Sequence, residues 1–315
     1  MLEYVSLRDY KHFKHLNRLW NGEFHSTYPL KKALYKSKIL EDRNLNKDAS
    51  FIALYDNEPV GFIFIKTWAT DSGLNNESDT AYISLIFVKK EMRNMGIGSD
   101  MLQLSVSELR KYSNLKKLVV GNEMKHIFSG IPSNLTSAPI FFMNKGFIQK
   151  DSVVDMIRVV RNEGVEEIDC KDLHITIATE EEKDAILKLC VKNNWKREAY
   201  LVNEYYENGG SGRRIAVAFK ENKIIGLVRF NDENKLPFKK GFFIKDKKLG
   251  SIHYVKIDEE YINEEYEIIL NKAAKNYLLK RGCKKIIVAS TKKINFYKKL
   301  GYSAYNYYLQ FELEL

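Results

Sequence analysis

Apolar and polar positions in this chain alternate with two periods, and one order of elements can be read twice. Phe51-Ile52-Ala53-Leu54-Tyr55 and Val60-Gly61-Phe62-Ile63-Phe64-Ile65 flank the turn Asp56-Asn57-Glu58-Pro59, which predicts a β-hairpin. Ile215 to Phe219 and Ile224 to Val228, either side of Glu221-Asn222, predict a second one. Helical periodicity precedes each hairpin, over Tyr10 to Trp20 and over Glu181 to Lys192. After each comes a strand (Tyr82 to Val88; Ile252 to Ile257), a long amphipathic helix (Gly98 to Tyr112; Glu264 to Lys280) and a further strand (Leu118 to Val120; Lys285 to Val288). Each half closes on a short helix, a glycine and an aromatic residue that enters a strand. These are Phe141-Phe142-Met143-Asn144-Lys145-Gly146-Phe147 and Phe296-Tyr297-Lys298-Lys299-Leu300-Gly301-Tyr302. Glycine suits the residue after a helix because φ > 0 costs it nothing.

With Met1 to Arg8 read as a first strand, the order β-α-α-β-β-β-α-β-α-β occurs twice, the signature of a structural repeat. The fold class expected is α+β (mixed α/β): two tandem domains, each a twisted, mostly antiparallel sheet flanked by helices. They are expected over residues 1–162 and 170–315, because Asn162-Glu163-Gly164 to Asp169 is polar and lacks apolar periodicity. A length of 315 residues suits two domains of about 150 each.

Composition narrows the function classes. With 44% hydrophobic and 29% charged residues the chain reads as globular. No apolar run reaches the roughly 18 residues of a membrane span, and the N-terminus lacks a basic-then-apolar leader, so a cytoplasmic address is expected. Cys170, Cys190 and Cys283 are far apart, which argues against a disulfide framework and against structural zinc; no metal is expected. The net charge of +10 is spread evenly: residues 1–160 hold 22 Lys and Arg against 17 Asp and Glu, the remainder 29 against 24. The lysine clusters at Lys239-Lys240, Lys245 to Lys248, Lys284-Lys285 and Lys292-Lys293 are interrupted and form no basic block. They read as solvated surface and not as a nucleic-acid face, although a mild positive field favours a polyanionic ligand.

The strongest chemical signal lies at the fourth strand of the first half, Val88-Lys89-Lys90-Glu91-Met92-Arg93-Asn94-Met95-Gly96-Ile97-Gly98. An apolar strand runs into a loop whose glycines open a helix. Backbone N–H groups there can turn inward, the glycines admit a phosphate closely, and the helix dipole presents its positive end. The equivalent junction of the second half, Ile257-Asp258-Glu259-Glu260-Tyr261-Ile262-Asn263-Glu264-Glu265, has no glycine and several carboxylates, which oppose phosphate binding.

These residues resemble the GNAT superfamily of N-acetyltransferases, whose pyrophosphate motif Arg/Gln-x-x-Gly-x-Gly/Ala is matched by Arg93, Gly96 and Gly98. The two closing helix-and-strand segments match its final signature. Leu19-Trp20-Asn21, Tyr28-Pro29-Leu30 and the stretch Gly121-Asn122, His126, Phe128, Gly130-Ile131-Pro132 look like a bacterial subset. The resemblance implies an N-acetyltransferase that passes acetyl from acetyl-CoA (coenzyme A) to a primary amine, with the amine attacking the thioester directly. It implies that Ile86, Phe87 and Val88 hold the pantetheine arm as an added strand would. It further implies that Arg93, Asn94, Met95, Gly96, Ile97, Gly98 and Ser99 bind the pyrophosphate. The second domain reads as a degenerate copy without a cofactor loop.

The acid and base depart from the family's pattern. The usual tyrosine of the closing helix is Phe142 in the first half, and Tyr297 fills that slot only where the cofactor loop is missing. The usual glutamate of the fourth strand is Ser84. Glu123 and His126, just after the next strand in the long loop Asn122 to Thr136, are the candidate catalytic residues. Trp20, Phe24 and Tyr28 read equally as acceptor pocket or as core. Arg213-Arg214, after Gly209-Gly210-Ser211-Gly212, read either as phosphate contacts or as a loop into an edge strand. The partner expected is a small-molecule or peptide amine, with no nucleic acid and no membrane, in a monomer or homodimer. A non-catalytic acyl-CoA-binding or regulatory protein is the alternative.

Overall fold

The computed structural model describes residues 1–68, 79–161, 164–207, 209–210, 214–232 and 248–315. Of the segments singled out above, Asn162-Glu163, Ser211 to Arg213, Lys239-Lys240 and Lys245 to Lys247 lie outside the described residues. Among those described, no helix is long and apolar enough to cross a membrane.

The first half runs β1 (Leu2–Ser6), α1 (Leu16–Phe24), α2 (Lys32–Tyr35), β2 (Leu45–Tyr55), β3 (Glu58–Lys66), β4 (Thr80–Val88), α3 (Ile97–Leu109), β5 (Lys117–Val120), β6 (Ile131–Pro132), α4 (Ser137–Met143) and β7 (Ile148–Val159). The second half runs β8 (His174–Ile177), α5 (Lys183–Lys192), α6 (Lys196–Glu207), β9 (Ile215–Lys220), β10 (Lys223–Asn231), β11 (Leu249–Ile257), α7 (Glu264–Lys280), β12 (Lys285–Thr291), α8 (Ile294–Lys299) and β13 (Ser303–Glu314). The doubled element order is therefore present, with the two-residue β6 added. The first helix begins later than its periodicity suggests: Phe13–His15 form a short 3₁₀ turn, and the α-helix extends to Phe24.

The described residues form two units. One comprises residues 1–153 together with Asn306–Leu315; the other takes in Val154 to Tyr305. In the first unit the sheet order is β1-β2-β3-β4-β5, followed by the end of β13, which pairs with β5 from Glu312↔Val119 to Glu314↔Lys117. In the second the end of β7 pairs with β12 from Lys285↔Val159 to Val288↔Met156, and β11, β10, β9 and β8 follow. The pattern of the sequence draws one linear boundary, whereas the first unit takes up the last residues of the chain, Asn306–Leu315, and the second begins at Val154. Pairing partners of a strand are chosen by the sheet edge on offer, and nothing in a strand's own alternation encodes them.

Each face of the first unit's sheet carries its own core. Phe62 and Phe64 of β3 pack with Leu16, Trp20, Leu34 and Tyr35 of the first two helices. Ile63 and Ile65 pack on the other face with Ile97, Met101, Leu102 and Leu109 of α3. This is the period-2 alternation of a strand buried on both sides. In β4 the alternation breaks. Ala81 and Ile83 face α3, yet Leu85 and Phe87 face α1. The register slips between Phe64↔Leu85 and Ile65↔Ile83, so Ser84 is the extra residue of a β-bulge.

Candidate active site

The bulge marks the place where β4 leaves its neighbour. β4 and β5 pair in parallel only from Thr80↔Lys117 to Ile83↔Val120, and the last contact is Gly121 N–H to the Ile83 carbonyl at 2.9 Å. β4 continues to Val88 against β3 alone on that register. Lys89 N–H donates to the Val60 carbonyl at 2.8 Å. Successive peptide groups point to opposite edges of a strand, so Phe87 turns toward β3, while Ile86 and Val88 turn toward the edge that β5 has vacated. Gly61 is required opposite: a Cβ there would lie 2.8 Å from the Phe87 carbonyl oxygen.

Beyond β4 the chain turns into α3 through Arg93 to Gly96. Arg93 is extended, Asn94 has φ 62° and Gly96 has φ 82°, and Gly96 is the N-cap of α3. Among the described residues, no side chain caps this helix. The amides of Ile97, Gly98 and Ser99, which have no acceptor inside a helix, are left for a ligand or for water. Ile97 is 2% exposed and anchors the turn in the α3 core, whereas Met95 is 59% exposed at the loop tip. The Arg93 guanidinium reaches back: Nε donates to the Val88 carbonyl at 3.0 Å, and Nη2 lies 2.6 Å from both carboxylate oxygens of Glu23 on α1. In the first turn of α3, Asp100 accepts from the Tyr4 hydroxyl at 2.6 Å. Burial and that carboxylate push the Tyr4 phenol far above its usual range, so it remains a donor.

Glu123 is sealed, at 1% exposure, on the α1 face. Its Oε1 accepts from the Ser84 hydroxyl at 2.6 Å and from Lys66 Nζ at 3.2 Å. Lys66, also 1% exposed, reaches Asp42 Oδ2 on its other side at 3.1 Å. Asp42 in turn accepts from the Asn44 backbone N–H at 3.0 Å. A carboxylate from the β5 loop is thus brought to the bulge residue of β4, the position where the family's glutamate is absent from this sequence. His126 is half-buried in the same loop, with Nε2 3.3 Å from the Ser129 hydroxyl and its N–H bonded to the Glu123 carbonyl at 3.0 Å. The loop closes on itself through Asn122 N–H to the Phe128 carbonyl at 2.8 Å.

Sequence reasoning missed Lys66, Asp42 and Glu23. A signal for the first was present: Phe62, Phe64 and Lys66 share one strand face, so a lysine follows two buried aromatics inward. Asp42 and Glu23 lie in segments with no motif.

Other candidates resolve into packing. Trp20 and Tyr28 are core, the Trp20 indole N–H bonding the Tyr28 carbonyl at 2.7 Å, and the Phe24 ring lies tilted beside Trp20 at 4.6 Å. Phe142 is 2% exposed against Phe147. Tyr297 is 2% exposed and packs edge-on to Tyr302, and burial drives its phenol far above the ordinary value. Arg214 lies over the Tyr205 ring at 5.9 Å.

The second unit repeats the strand geometry without the loop. β11 pairs with β12 only from Leu249↔Lys285 to Ile252↔Val288, and β10 carries Gly226 opposite Ile257 as β3 carries Gly61 opposite Val88. After β11, however, Asp258 is fully buried and bound by Lys192 at 2.8 Å. Asn263 caps α7 by accepting from the Glu265 N–H at 2.8 Å, with Glu264, Glu265 and Glu267 in the first turn.

The pattern of the acetyltransferase (GNAT) family matches the chain twice, over residues 13–126 and 178–302. No curated protein matches it in sequence. Among solved structures, a fungal multi-domain GH3 beta-N-acetylglucosaminidase described as containing a GCN5-related glucosamine N-acetyltransferase region is similar over 99% of this chain. The identity is 16% and the TM-score 0.85, and this chain spans 38% of the fungal one. A GCN5-related N-acetyltransferase of Sphaerobacter thermophilus is similar at 10% identity and TM-score 0.67, over 99% of this chain and 95% of that one. A tandem GNAT protein from the clavulanic acid biosynthesis pathway is similar at 13% identity and TM-score 0.66, over 100% of this chain and 98% of that one. At such identities the likeness is one of fold.

Proposed function

This chain belongs to the acetyltransferase (GNAT) family, and from that premise we propose that its first unit binds acetyl-CoA and transfers the acetyl group to a primary amine. The observation that carries the proposal is the uncapped N-terminus of α3, opened by Gly96 at φ 82° directly after a strand that has parted from its neighbour. A pyrophosphate would take the amides of Ile97, Gly98 and Ser99 and draw Arg93 to it, with Asn94 and Met95 forming the rim. The outward peptide groups of Ile86 and Val88 would pair with the amides of the pantetheine arm, and Phe87 would hold the strand from beneath.

The amine nitrogen attacks the thioester carbonyl, the C–N bond forms, and the C–S bond breaks to release the CoA thiolate. The amine proton passes to the Ser84 hydroxyl and on to Glu123. Ser84 already donates to Glu123 at 2.6 Å, so its lone pairs remain to accept from the amine. His126, half-buried in the same loop, is a second candidate proton acceptor. The thiolate is a tolerable leaving group near neutral pH, so Phe142 in the closing helix is no bar.

Calorimetric titration with acetyl-CoA tests the cofactor half: saturable one-site binding is expected, and absence of binding overturns it. Thiol release with a panel of amines tests the transfer. Glucosamine comes first because the fungal neighbour carries that name, followed by a peptide N-terminus and methylamine. A second reading, acyl-CoA binding without turnover, is favoured by Phe142 standing where the family places a tyrosine; binding without thiol release would establish it.

A further inference from the structure

Buried ions are rare and costly. Moving an ammonium or a carboxylate out of water is repaid only by close, well-oriented partners. The first unit nevertheless buries a row of three. Asp42, before β2, is 5% exposed; Lys66, at the end of β3, and Glu123, after β5, are each 1% exposed. Lys66 Nζ bridges the two carboxylates at 3.1 and 3.2 Å, and Ser84 closes the row on Glu123 at 2.6 Å. The row ends at the bulge of β4, where the strand parts from β5. A row serving stability alone is commonly matched or bettered by apolar side chains of similar volume, so its placement at the parting of the strands calls for another role.

We propose that Lys66, held by Asp42, is the positioning residue of the acetyl transfer: its ammonium holds the Glu123 carboxylate turned onto the Ser84 hydroxyl, so that Glu123 can receive the amine proton. This rests on the assignment of Glu123 as base given above. The two flanking carboxylates together carry one charge more than the lysine neutralises. When Glu123 takes the proton from the amine the row becomes neutral overall, and when the proton leaves to solvent the starting state returns. No bond to Lys66 forms or breaks. Asp42 fixes the ammonium from the side remote from the reaction, and the Asn44 backbone N–H fixes Asp42. The bulge is what permits the arrangement. Without the extra residue Ser84, the β4 side chains beyond it would face α3, and the Glu123 carboxylate would meet no hydroxyl there.

The test is a double-mutant cycle on the full chain, with acetyl-CoA and methylamine as probes, thiol release as the rate and calorimetric acetyl-CoA binding as the check on fold. Glu123→Gln is expected to lower kcat by about 100-fold, the usual size of general-base loss. Lys66→Met is expected to lower kcat by at least about 10-fold, with the acetyl-CoA Kd within about twofold of the original. In the Glu123→Gln background the same Lys66→Met change should cost less than about a further twofold, since residues that act as a unit are not additive. Because Lys66→Met leaves two buried carboxylates without their cation, Lys66→Met combined with Asp42→Asn provides a second route and should show the same fall in kcat.

The outcomes separate cleanly. An unchanged kcat in Glu123→Gln, or no thiol release by the unaltered protein, would remove the base assignment and this inference with it. A fall in Glu123→Gln with an unchanged kcat in Lys66→Met would overturn the inference alone. Losses that multiply in the double variant would also overturn it. Failure of both Lys66 variants to bind acetyl-CoA would make the row a folding element and nothing more.

Discussion

The β4–α3 junction of the first unit and the β11–α7 junction of the second begin alike and end differently. Both strands part from their parallel neighbour after four paired residues, both face a glycine on the adjacent strand, and both run through a short 3₁₀ turn into a helix. In the first, the helix opens from a glycine in the left-handed region with no side-chain cap. In the second, Asn263 caps the helix, acidic residues fill its first turn, and Asp258 is buried against Lys192. A helix end must satisfy its first amides somehow. The second junction caps the Glu265 N–H with its own Asn263 and sets carboxylates around the rest, which repel a phosphate. The first leaves its donors open, which is tolerable on a surface and useful if a ligand supplies the acceptors. The parting of the strands is therefore a property of the fold, and the binding site is a property of the loop.

The comparison breaks hardest at Gly96. Gly96→Glu puts a side chain at φ 82° and a carboxylate onto the open amides; acetyl-CoA affinity should fall by about 100-fold or more in calorimetry, with the circular dichroism spectrum retained. At the other junction, burial alone would raise the Asp258 pKa. Hydrogen bonds from Lys192 and the Glu260 N–H outweigh it and hold the carboxyl below its ordinary range. Its stabilisation is therefore complete above the unfolded pKa near 4 and is lost as pH falls through the lower folded value. Thermal melts between pH 6 and 3 should show the unaltered chain losing more stability than Asp258→Asn, which starts lower; parallel curves would refute this. A smaller effect is expected of Asn263→Ala, about 1 kcal/mol of stability by denaturant titration, with acetyl-CoA binding unchanged. The smallest sharpens the first junction: Glu23→Gln frees Arg93 from its carboxylate, and acetyl-CoA should bind about two- to fivefold more tightly, as expected for a partly exposed ion pair.

Much of the candidate site was legible because it depends on residue types in a short window. Arg93, Gly96 and Gly98 occur within six residues, and a glycine-opened helix after an apolar strand suits the binding of an anion. The missing loop in the second half was legible for the same reason, since carboxylates without glycine cannot cradle an anion. Glu123 could be named as a candidate from its place after β5, but its partners could not. Lys66 and Asp42 stand 57 and 81 positions away in the chain, and it takes the pairing of β2, β3, β4 and β5 to bring them together.

What the sequence by itself determined is the doubled element order, the hairpins, the long helices and the loop with open amides. Each follows from local alternation, helical period and the φ freedom of glycine, which act over a few residues. Tertiary structure alone decided three things: the bulge at Ser84 that reverses the faces of β4, the closing strand that each unit takes, and the buried row from Asp42 to Glu123. Each is a choice among partners distant in the chain. Such a choice is settled by which edges, faces and charges are left to satisfy once the sheet has formed, and no local pattern carries that information.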